Sequence, residues 1–392
     1  MLKLGEISLK GLNRRNFEKT LANNIKNKLR PHRSTIVSKK GRMYLEVDKD
    51  LSDKEIDFAL STLFGLDGYA PCLVSEKNLD SIEKCIKKAI IGNESFINSA
   101  TYKVIAKRED KKFEKNSYEL SCFAAKIVNS VYPKLKVDVK NPEAILYIEI
   151  RNNAYIYTQS KKTLGGLPTG TAGKALSLLS GGIDSPVASV KMASRGLREE
   201  LVYFHAYPFT GAESLEKVKK LAALIAPYLG GTILHIVNFT PIEMRIKDTV
   251  YEREKTIMLR SSMMRVAKKL ALKRRCSCLI TGEALSQVAS QTLSAMEFTT
   301  KMADCLVLRP LVGMDKEEII TLSKKIGTYE TSILPFEDCC SLFSPKHPIT
   351  QVKAEQEEKS YTSMDAGKLE NEAVETAEMI FFDANGRERV ES

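Results

Sequence analysis

The stretch Ala175-Leu-Ser-Leu-Leu-Ser-Gly-Gly-Ile-Asp-Ser-Pro-Val-Ala-Ser-Val190 constrains this chain more than any other. Leu176, Leu178 and Leu179 form an apolar run that reads as a buried parallel strand. Gly181 and Gly182 break it, and Ser189 to Ser194 carry a helical pattern of small and apolar residues. A strand feeding a helix through a tight glycine loop aims backbone N–H groups and the positive end of the helix dipole at one point. The hydroxyls of Ser180 and Ser185 add donors there, so the loop suits a phosphate chain. The plain alternative is a Gly-Ser turn that only joins strand to helix.

A nearby Gly173-Lys174 pair does not make a Walker loop. Ala175 follows the lysine, Pro168 stands where the first glycine belongs, and the pair precedes the strand. Ser180-Gly-Gly-Ile-Asp-Ser185 instead resembles the SGGxDS loop of the PP-loop ATP pyrophosphatases. Those enzymes cleave ATP between the α and β phosphates and use the adenylate to activate a carbonyl oxygen.

A length of 392 residues suggests two or three domains, and 43% hydrophobic residues supply buried cores. No apolar run approaches a membrane span and the N-terminus lacks a signal-peptide pattern, so the expected location is cytoplasmic with no membrane partner. The eight cysteines show no disulfide framework. Cys276, Cys278, Cys305 and the vicinal Cys339-Cys340 also lack the spacing of a zinc or cluster site. The net charge of +11 lies wholly in residues 1–170, with 31 Lys/Arg against 20 Asp/Glu, whereas residues 171–392 hold 29 of each. A basic segment beside a neutral nucleotide-binding segment points to a polyanion, most simply nucleic acid. A solvated lysine-rich surface is the alternative.

Phe17, Leu21, Ile25 and Leu29 give one apolar helix face, with Lys19, Lys26 and Lys28 on others. Strands around 34–37 and 42–47 follow, and a short strand almost at Met1 completes a β-α-β-β ferredoxin-like unit. Helices are expected over 54–64, 81–91 and 117–131, strands near 69–74 and 101–106, and a hairpin over 144–157 turning at Asn152-Asn153. Lys107, Arg108 and Lys111 form a basic loop whose one aromatic, Phe113, is expected to be exposed for base stacking. After a small-residue linker, strands at 201–205, 233–237 and 279–280 alternate with helices at 214–229 and 256–272, the former broken late by Pro227. This predicts a doubly wound parallel sheet with its site at the strand C-termini. Residues 351–380 carry 8 acidic against 3 basic residues and read as a surface helix covering the sheet edge, packed down by Phe381 and Phe382.

Three stretches, Gly5-Glu-Ile-x-Leu-Lys-Gly-x-Asn-Arg-Arg15 with Phe17-Glu18, Tyr102-Lys-Val-x-Ala-Lys-Arg-x-Asp-Lys111, and the SGGIDSP loop, together resemble the tRNA 4-thiouridine synthetase (ThiI) family. The resemblance implies a ferredoxin-like domain (1–53), a THUMP domain (54–162), a linker (163–173) and a PP-loop pyrophosphatase domain (174–392). It implies that the basic segment grips the acceptor end of tRNA through residues such as Lys107, Arg108 and Lys111. It implies ATP contacts at Leu178, Leu179, Ser180, Gly181, Gly182, Ser185, Tyr203, Phe204, Arg260, Gly282 and Gln291. Asp184 would orient Mg²⁺ on the pyrophosphate, and Lys316, in the pattern Asp315-Lys-Glu-Glu-Ile-Ile320, is the functional lysine. Ser261 follows Arg260 where the family often has a second arginine. His205 at a strand end reads more readily as a packed histidine than as a base.

The implied reaction is ATP-dependent thiolation of a tRNA uridine, position 8 in the family, through an adenylated C4 oxygen. Cys340, which opens a C-x-x-x-S pattern in a proline-flanked segment, is expected to carry sulfur from a cysteine desulfurase. Lys346 or His347 would favour its thiolate. The chain is expected to lack a C-terminal rhodanese domain, which makes a role in thiazole synthesis doubtful. The resemblance leaves a homodimer open. Two alternatives stand beside it: a tRNA-binding protein with a structural nucleotide site, and another PP-loop ligase acting on a small substrate.

Overall fold

The computed structural model describes residues 1–39, 42–48, 50–336 and 349–389. From the N-terminus the elements are β1 (Leu2–Leu4), α1 (Arg14–Leu29), β2 (Ser34–Lys39), β3 (Arg42–Val47), α2 (Asp53–Ser61) and β4 (Leu66–Tyr69). Next come β5 (Leu73–Ser75), α3 (Leu79–Ile90), α4 (Glu94–Ile97), β6 (Thr101–Arg108), α5 (Ser117–Val131), β7 (Lys136–Val137), β8 (Ala144–Ile150), β9 (Ala154–Tyr157) and β10 (Lys161–Gly165). They are followed by β11 (Lys174–Leu178), α6 (Asp184–Ala193), β12 (Arg198–His205), α7 (Ala212–Leu229), β13 (Thr232–Asn238), α8 (Thr240–Thr249), α9 (Lys255–Lys273) and β14 (Cys278–Ile280). The last are α10 (Leu293–Ala303), β15 (Val307–Leu308), α11 (Lys316–Lys325), α12 (Tyr329–Ser332), α13 (Ala354–Met364), α14 (Gly367–Glu375), β16 (Glu378–Phe382) and β17 (Glu388–Arg389).

These residues divide into two compact units that interleave along the chain. One comprises Met1–Leu4, Thr35–Glu46 and Asp67–Thr163; the other comprises Gly5–Ser34, Val47–Leu66 and everything from Leu164. Within the first, a five-stranded sheet in the order β5-β9-β8-β6-β7 packs on α3 and α5. The Asn152-Asn153 turn closes the antiparallel β8–β9 pair, and β6 runs parallel to β8. A capping box starts α5, with the Asn116 side chain on the Glu119 N–H and the Glu119 carboxylate on the Asn116 N–H. Phe113 is only 8% exposed and belongs to this core, so the expected exposed aromatic is absent from the basic loop. An apolar ring gains more from burial than from a solvent face. The second sheet of this unit has the order β10-β4-β1-β3-β2, and β1 is short, as the sequence required.

The other unit is built on a seven-stranded sheet ordered β15-β14-β11-β12-β13-β16-β17. From β15 to β13 every neighbouring pair is parallel. Residues along β12 alternate between two cores: Leu201 and Tyr203 pack with α6, α7 and α11, and Val202 and Phe204 with α8, α9 and α10. Both faces are therefore covered, as a parallel sheet needs. The sheet departs from the expected pattern at its edge. Phe381 and Phe382 lie in β16, antiparallel to β13 with Thr232 opposite Phe382, rather than clamping a helix. The acidic stretch before them forms two helices, α13 and α14, and its Glu370 is fully buried against Lys269 (2.8 Å) and Arg265 (3.3 Å). Pro227 does not break α7, because it sits in the last turn just before the left-handed cap Gly230 (φ 74°). The Ala223 carbonyl that Pro227 cannot bond lies against Gly386, where a side chain would overlap it. Lys28, expected on a polar face of α1, is buried.

Candidate active site

The strand order reverses beside β11, since β12 lies on one side of it and β14 on the other, and such a reversal opens a crevice at the strand C-termini. There the chain leaves β11 through the Ser180-Gly-Gly-Ile183 loop and enters α6 at Asp184. The loop is closed by its own hydroxyls: the Ser180 N–H donates to Ser185 Oγ (2.9 Å), and the two hydroxyl oxygens lie 3.1 Å apart. No side chain caps α6, so its first N–H groups remain for a ligand. Gly282 lies so close to α6 that a Cβ there would come 2.7 Å from Ser185 N and 2.9 Å from the Asp184 carbonyl carbon. Only glycine lets the loop after β14 approach the loop after β11.

A cavity of about 190 Å³ opens between these loops. Its walls include Leu178, Leu179, Ser180, Gly182, Asp184, Ser185, Tyr203, Phe204, Arg260, Gly282 and Gln291, all expected from sequence. Met263, Met264, Thr281, Glu283 and Thr299 complete it. Gly181 lies in the loop without lining the cavity. One wall is apolar and the other carries hydroxyls, backbone N–H groups and a guanidinium, which suits a flat base joined to an anionic chain. Gln291 is 8% exposed, and its buried Oε1 finds no hydrogen-bond donor among the described residues.

Two carboxylates face the cavity, one held by a single lysine and an amide and the other by two arginines. Lys316, the first residue of α11, places its Nζ 2.6 Å from Asp184 Oδ1, and Gln287 Nε2 donates to Asp184 Oδ2 at 2.8 Å. A lysine at a helix start opposes the helix dipole, and Asp184 supplies the compensating anion. Asp315 caps α11 in a capping box with Glu318. Glu283 sits deeper, 3% exposed, between Arg260 Nη2 and Arg309 Nε (2.6 Å), and also accepts from Thr281 Oγ1 (2.8 Å). Burial would raise its pKa, but Arg260 and then Arg309 outweigh that and hold it below the ordinary glutamate range. Arg309 is fixed in turn by Thr300 Oγ1 at 2.8 Å.

Sequence reasoning did not assign Glu283, Arg309 or Gln287 to the site. Glu283 adjoins Gly282 and Arg309 follows β15, so an acid and an arginine at adjacent parallel strand ends were the available signal. Ser261 is buried and bonds the Ile257 carbonyl at 2.7 Å, so it offers no second cation to the cavity; Arg309 reaches Glu283 but does not line the cavity wall. His205 lies outside the cavity wall with its ring 5.9 Å from that of Tyr203, and burial lowers its pKa. Lys174 bonds the Arg274 carbonyl and Glu200 at the opposite end of the sheet.

Cys340, with Cys339, Lys346 and His347, lies outside the described residues. Burial pushes the Cys276 thiol up to about 11 and raises those of Cys278 and Cys305, which makes them poor nucleophiles. No group of three or more His, Cys, Asp or Glu able to hold a metal occurs among the described residues. None of their helices is long and apolar enough to cross a membrane. In the other unit Lys107 and Lys111 are exposed, and Arg108 is half-buried with its guanidinium on the Phe113 carbonyl (3.3 Å).

A glycine-serine loop between strand and uncapped helix, at the reversal point of a parallel sheet, with an apolar pocket beside it, defines a nucleotide-binding α/β domain of the PP-loop class. Comparison with known proteins narrows this. A family model described as "Thiamine biosynthesis protein (ThiI)" matches residues 170–366, a ThiI ferredoxin-like domain matches 1–70, and a THUMP domain matches 76–159. The chain is 39% identical over 381 residues to a Finegoldia magna protein named "Probable tRNA sulfurtransferase", covering 97% of each. It is 43% identical over 375 residues to a Clostridium kluyveri protein of the same name, covering 96% of this chain and 97% of the other. A crystal structure described as a 4-thiouridine synthetase–RNA complex with bound ATP superposes with a TM-score of 0.88 at 34% identity, over 97% of this chain and 98% of that one. The chain belongs to the ThiI family.

Proposed function

We propose that this protein is an ATP-dependent tRNA sulfurtransferase that converts a tRNA uridine, position 8 by family analogy, to 4-thiouridine. The observation that carries the reading is the junction of the SGGIDS loop with Asp184 and Lys316 at the edge of an apolar pocket. Adenine packs between the apolar walls, and the phosphates lie along the loop and the start of α6. The uridine C4 oxygen attacks the α phosphate and pyrophosphate leaves; sulfur then attacks C4 and AMP leaves. Fixed donors at the phosphates favour the first step, because they need no reorganisation as charge shifts to the leaving group. Lys316 neutralises that charge, and Arg260 steadies the nucleotide.

Glu283 lies buried between two arginines, whereas Asp184 sits nearer the surface, where its bonds to Lys316 and Gln287 can give way, and is assigned to a Mg²⁺ ion arriving with the ATP phosphates. Such an ion would neutralise pyrophosphate charge. Residues 1–53 and 54–162 are assigned to tRNA binding, with Lys107, Arg108 and Lys111 on phosphates, and 174–392 to chemistry. Cys340 is assigned to carry persulfide sulfur from a cysteine desulfurase. The test is mass spectrometry of tRNA nucleosides after incubation with ATP, Mg²⁺ and sulfide. The expected result is a uridine with one oxygen replaced by sulfur, formed together with AMP. Binding of tRNA and ATP without that product would leave a tRNA-binding protein with a structural nucleotide site, and would end the proposal.

A further inference from the structure

Far along the chain from the SGGIDS loop, the C-terminal hairpin β16–β17 meets the end of α1 and the start of α2, all within one compact unit. The Asn385 side chain donates to the Lys28 carbonyl at 3.0 Å and ties the hairpin to α1. Two cavities open here. One, of about 330 Å³, is lined by Lys28, Arg30, Lys54 and Arg387; the other, of about 310 Å³, by Arg30, Arg198 and Arg389. Arg30 and Asn385 belong to both, so the cavities adjoin.

The described cations make no contact-distance ion pair, and the nearby acids bond elsewhere, although Asp383 and Glu55 act on Lys28 and Arg387 through space. Among the described residues none of these six basic side chains forms a salt bridge. Glu55 belongs to the α2 capping box, and Asp383 accepts the N–H groups of Asn385 (2.8 Å) and Arg387 (2.9 Å). Glu200 is shared by Lys174, Arg274 and His235, and burial pushes the Glu199 carboxyl well above its ordinary range. Lys28 is 3% exposed; among the described residues its ammonium bonds the Thr62 hydroxyl alone, and it lies 5.5 Å over the Phe58 ring. Burial, offset in part by Asp383, brings that amine down to about 7. A buried amine without a carboxylate at contact distance is costly to charge, and an anion in the cavity would lower the cost.

We propose that these adjoining cavities form a second RNA-backbone site, in which Lys28, Arg30, Lys54, Arg387, Arg198 and Arg389 hold successive phosphates of the tRNA. The inference rests on the tRNA reading above. The six side chains that define the site are cations suited to phosphate oxygens, so the recognition is of phosphates without regard to sequence, and Phe58, exposed in the wall of the larger cavity, flanks the backbone path. The C-terminal hairpin thereby becomes part of the RNA-binding surface, although residues 171–392 carry no net charge.

The test titrates the full chain with tRNA over a range of salt concentrations, by fluorescence anisotropy. A variant carrying Lys54→Glu, Arg387→Glu and Arg389→Glu is compared with one carrying Lys219→Glu, Lys273→Glu and Lys301→Glu, which changes net charge equally at lysines that pair on the surface. The cavity variant should bind about tenfold or more weakly near 0.1 M salt, with the salt slope reduced by about one for each phosphate no longer neutralised, while the comparator keeps its slope. Lys28→Met should weaken binding in the same sense. Equal losses in the two triple variants, an unchanged slope in the cavity variant, or inorganic pyrophosphate occupying the cavities without competing with tRNA would each overturn the site. Wild-type thiolation is measured on the same preparation. If the wild type makes no 4-thiouridine the functional reading fails; if it does and the cavity variant keeps its slope, only this inference fails.

Discussion

Two buried glutamates at opposite ends of the seven-stranded sheet have nearly the same surroundings and different work. Glu283, beyond the C-terminal end of β14, is held by Arg260 and Arg309. Glu200, near the start of β12, is held by Lys174 (2.7 Å), Arg274 (2.7 and 3.0 Å) and His235 (2.7 Å). In both cases burial would raise the carboxyl pKa, and hydrogen-bonded cations more than reverse that. The difference lies in what the cations touch. Arg260 lines the nucleotide cavity, whereas none of the Glu200 cations does. One cluster aims a positive group at a ligand, and the other staples strands and α9 together at the end of the sheet where parallel α/β folds place no chemistry. Perturbed pKa values alone do not separate site from scaffold; position along the strands does.

The largest expected effects fall on the cradle itself. Asp184→Ala and Lys316→Ala should each lower AMP-forming turnover about a hundredfold or more, the scale for losing a charge-stabilising group, with tRNA binding nearly unchanged. Rapid-quench measurement of AMP with a parallel tRNA titration checks this, and near-normal thiolation by either variant would remove that residue from the mechanism. Gly282→Ala should be almost as damaging, since its Cβ must displace the start of α6. An overpacking cost of roughly 1–3 kcal/mol should appear in thermal unfolding together with loss of ATP binding.

Next come the glutamates. Glu283→Gln should weaken ATP binding and turnover about tenfold, because Arg260 loses the carboxylate that orients it. Glu200→Gln should leave turnover per folded molecule unchanged and cost about 1–3 kcal/mol of stability, since it weakens charge-assisted hydrogen bonds to the half-buried Lys174 and Arg274. The same cluster sets an acid limit. The folded Glu200 pKa lies far below its ordinary value of 4.5. Its contribution is therefore complete above about pH 5 and is lost progressively as pH falls below 4.5 toward the folded value. Denaturant titrations between pH 3 and 7 should show a decline at the acid end in the wild type that is shallower in Glu200→Gln. Parallel acid curves would sink the linkage.

The sequence made the cavity legible because its loops are local: SGGIDS follows a strand, TGE follows another, and both periodicity and glycine placement survive in any window. Partnerships between distant residues were not legible. Glu283 meets Arg309 across a β14–β15 parallel pairing, and Lys316 finds Asp184 from 132 residues away. The role of Phe113 misled because a single aromatic in a charged loop carries no period by which to read burial. Phe381 and Phe382 misled for a related reason: the four-residue apolar run 379–382 after a helix suits a packed cap as well as an edge strand. Pro227 looked like a break because propensity does not know that a helix is about to end.

The smallest expected difference separates the two clusters most cleanly, because it keeps every charge. Arg309→Lys and Arg274→Lys each replace a planar fork with a point charge. Arg309 spends its fork on Glu283 and Thr300 together, so a lysine reaching Glu283 must give up Thr300 and leave Glu283 less firmly aimed. Arg260 then samples more orientations in the cavity, and kcat/KM for ATP should fall a few-fold, about 1 kcal/mol at 25 °C, with little change in Tm. Arg274 uses its fork on both oxygens of Glu200, but Lys174 and His235 remain after the change. Stability should fall by about 1 kcal/mol, read as a Tm shift of a few degrees, with kcat/KM unchanged. Steady-state pyrophosphate release and thermal unfolding on the same two preparations give all four values. If Arg274→Lys slows the reaction, or if Arg309→Lys lowers only Tm, the position of a cluster along the sheet does not decide its role.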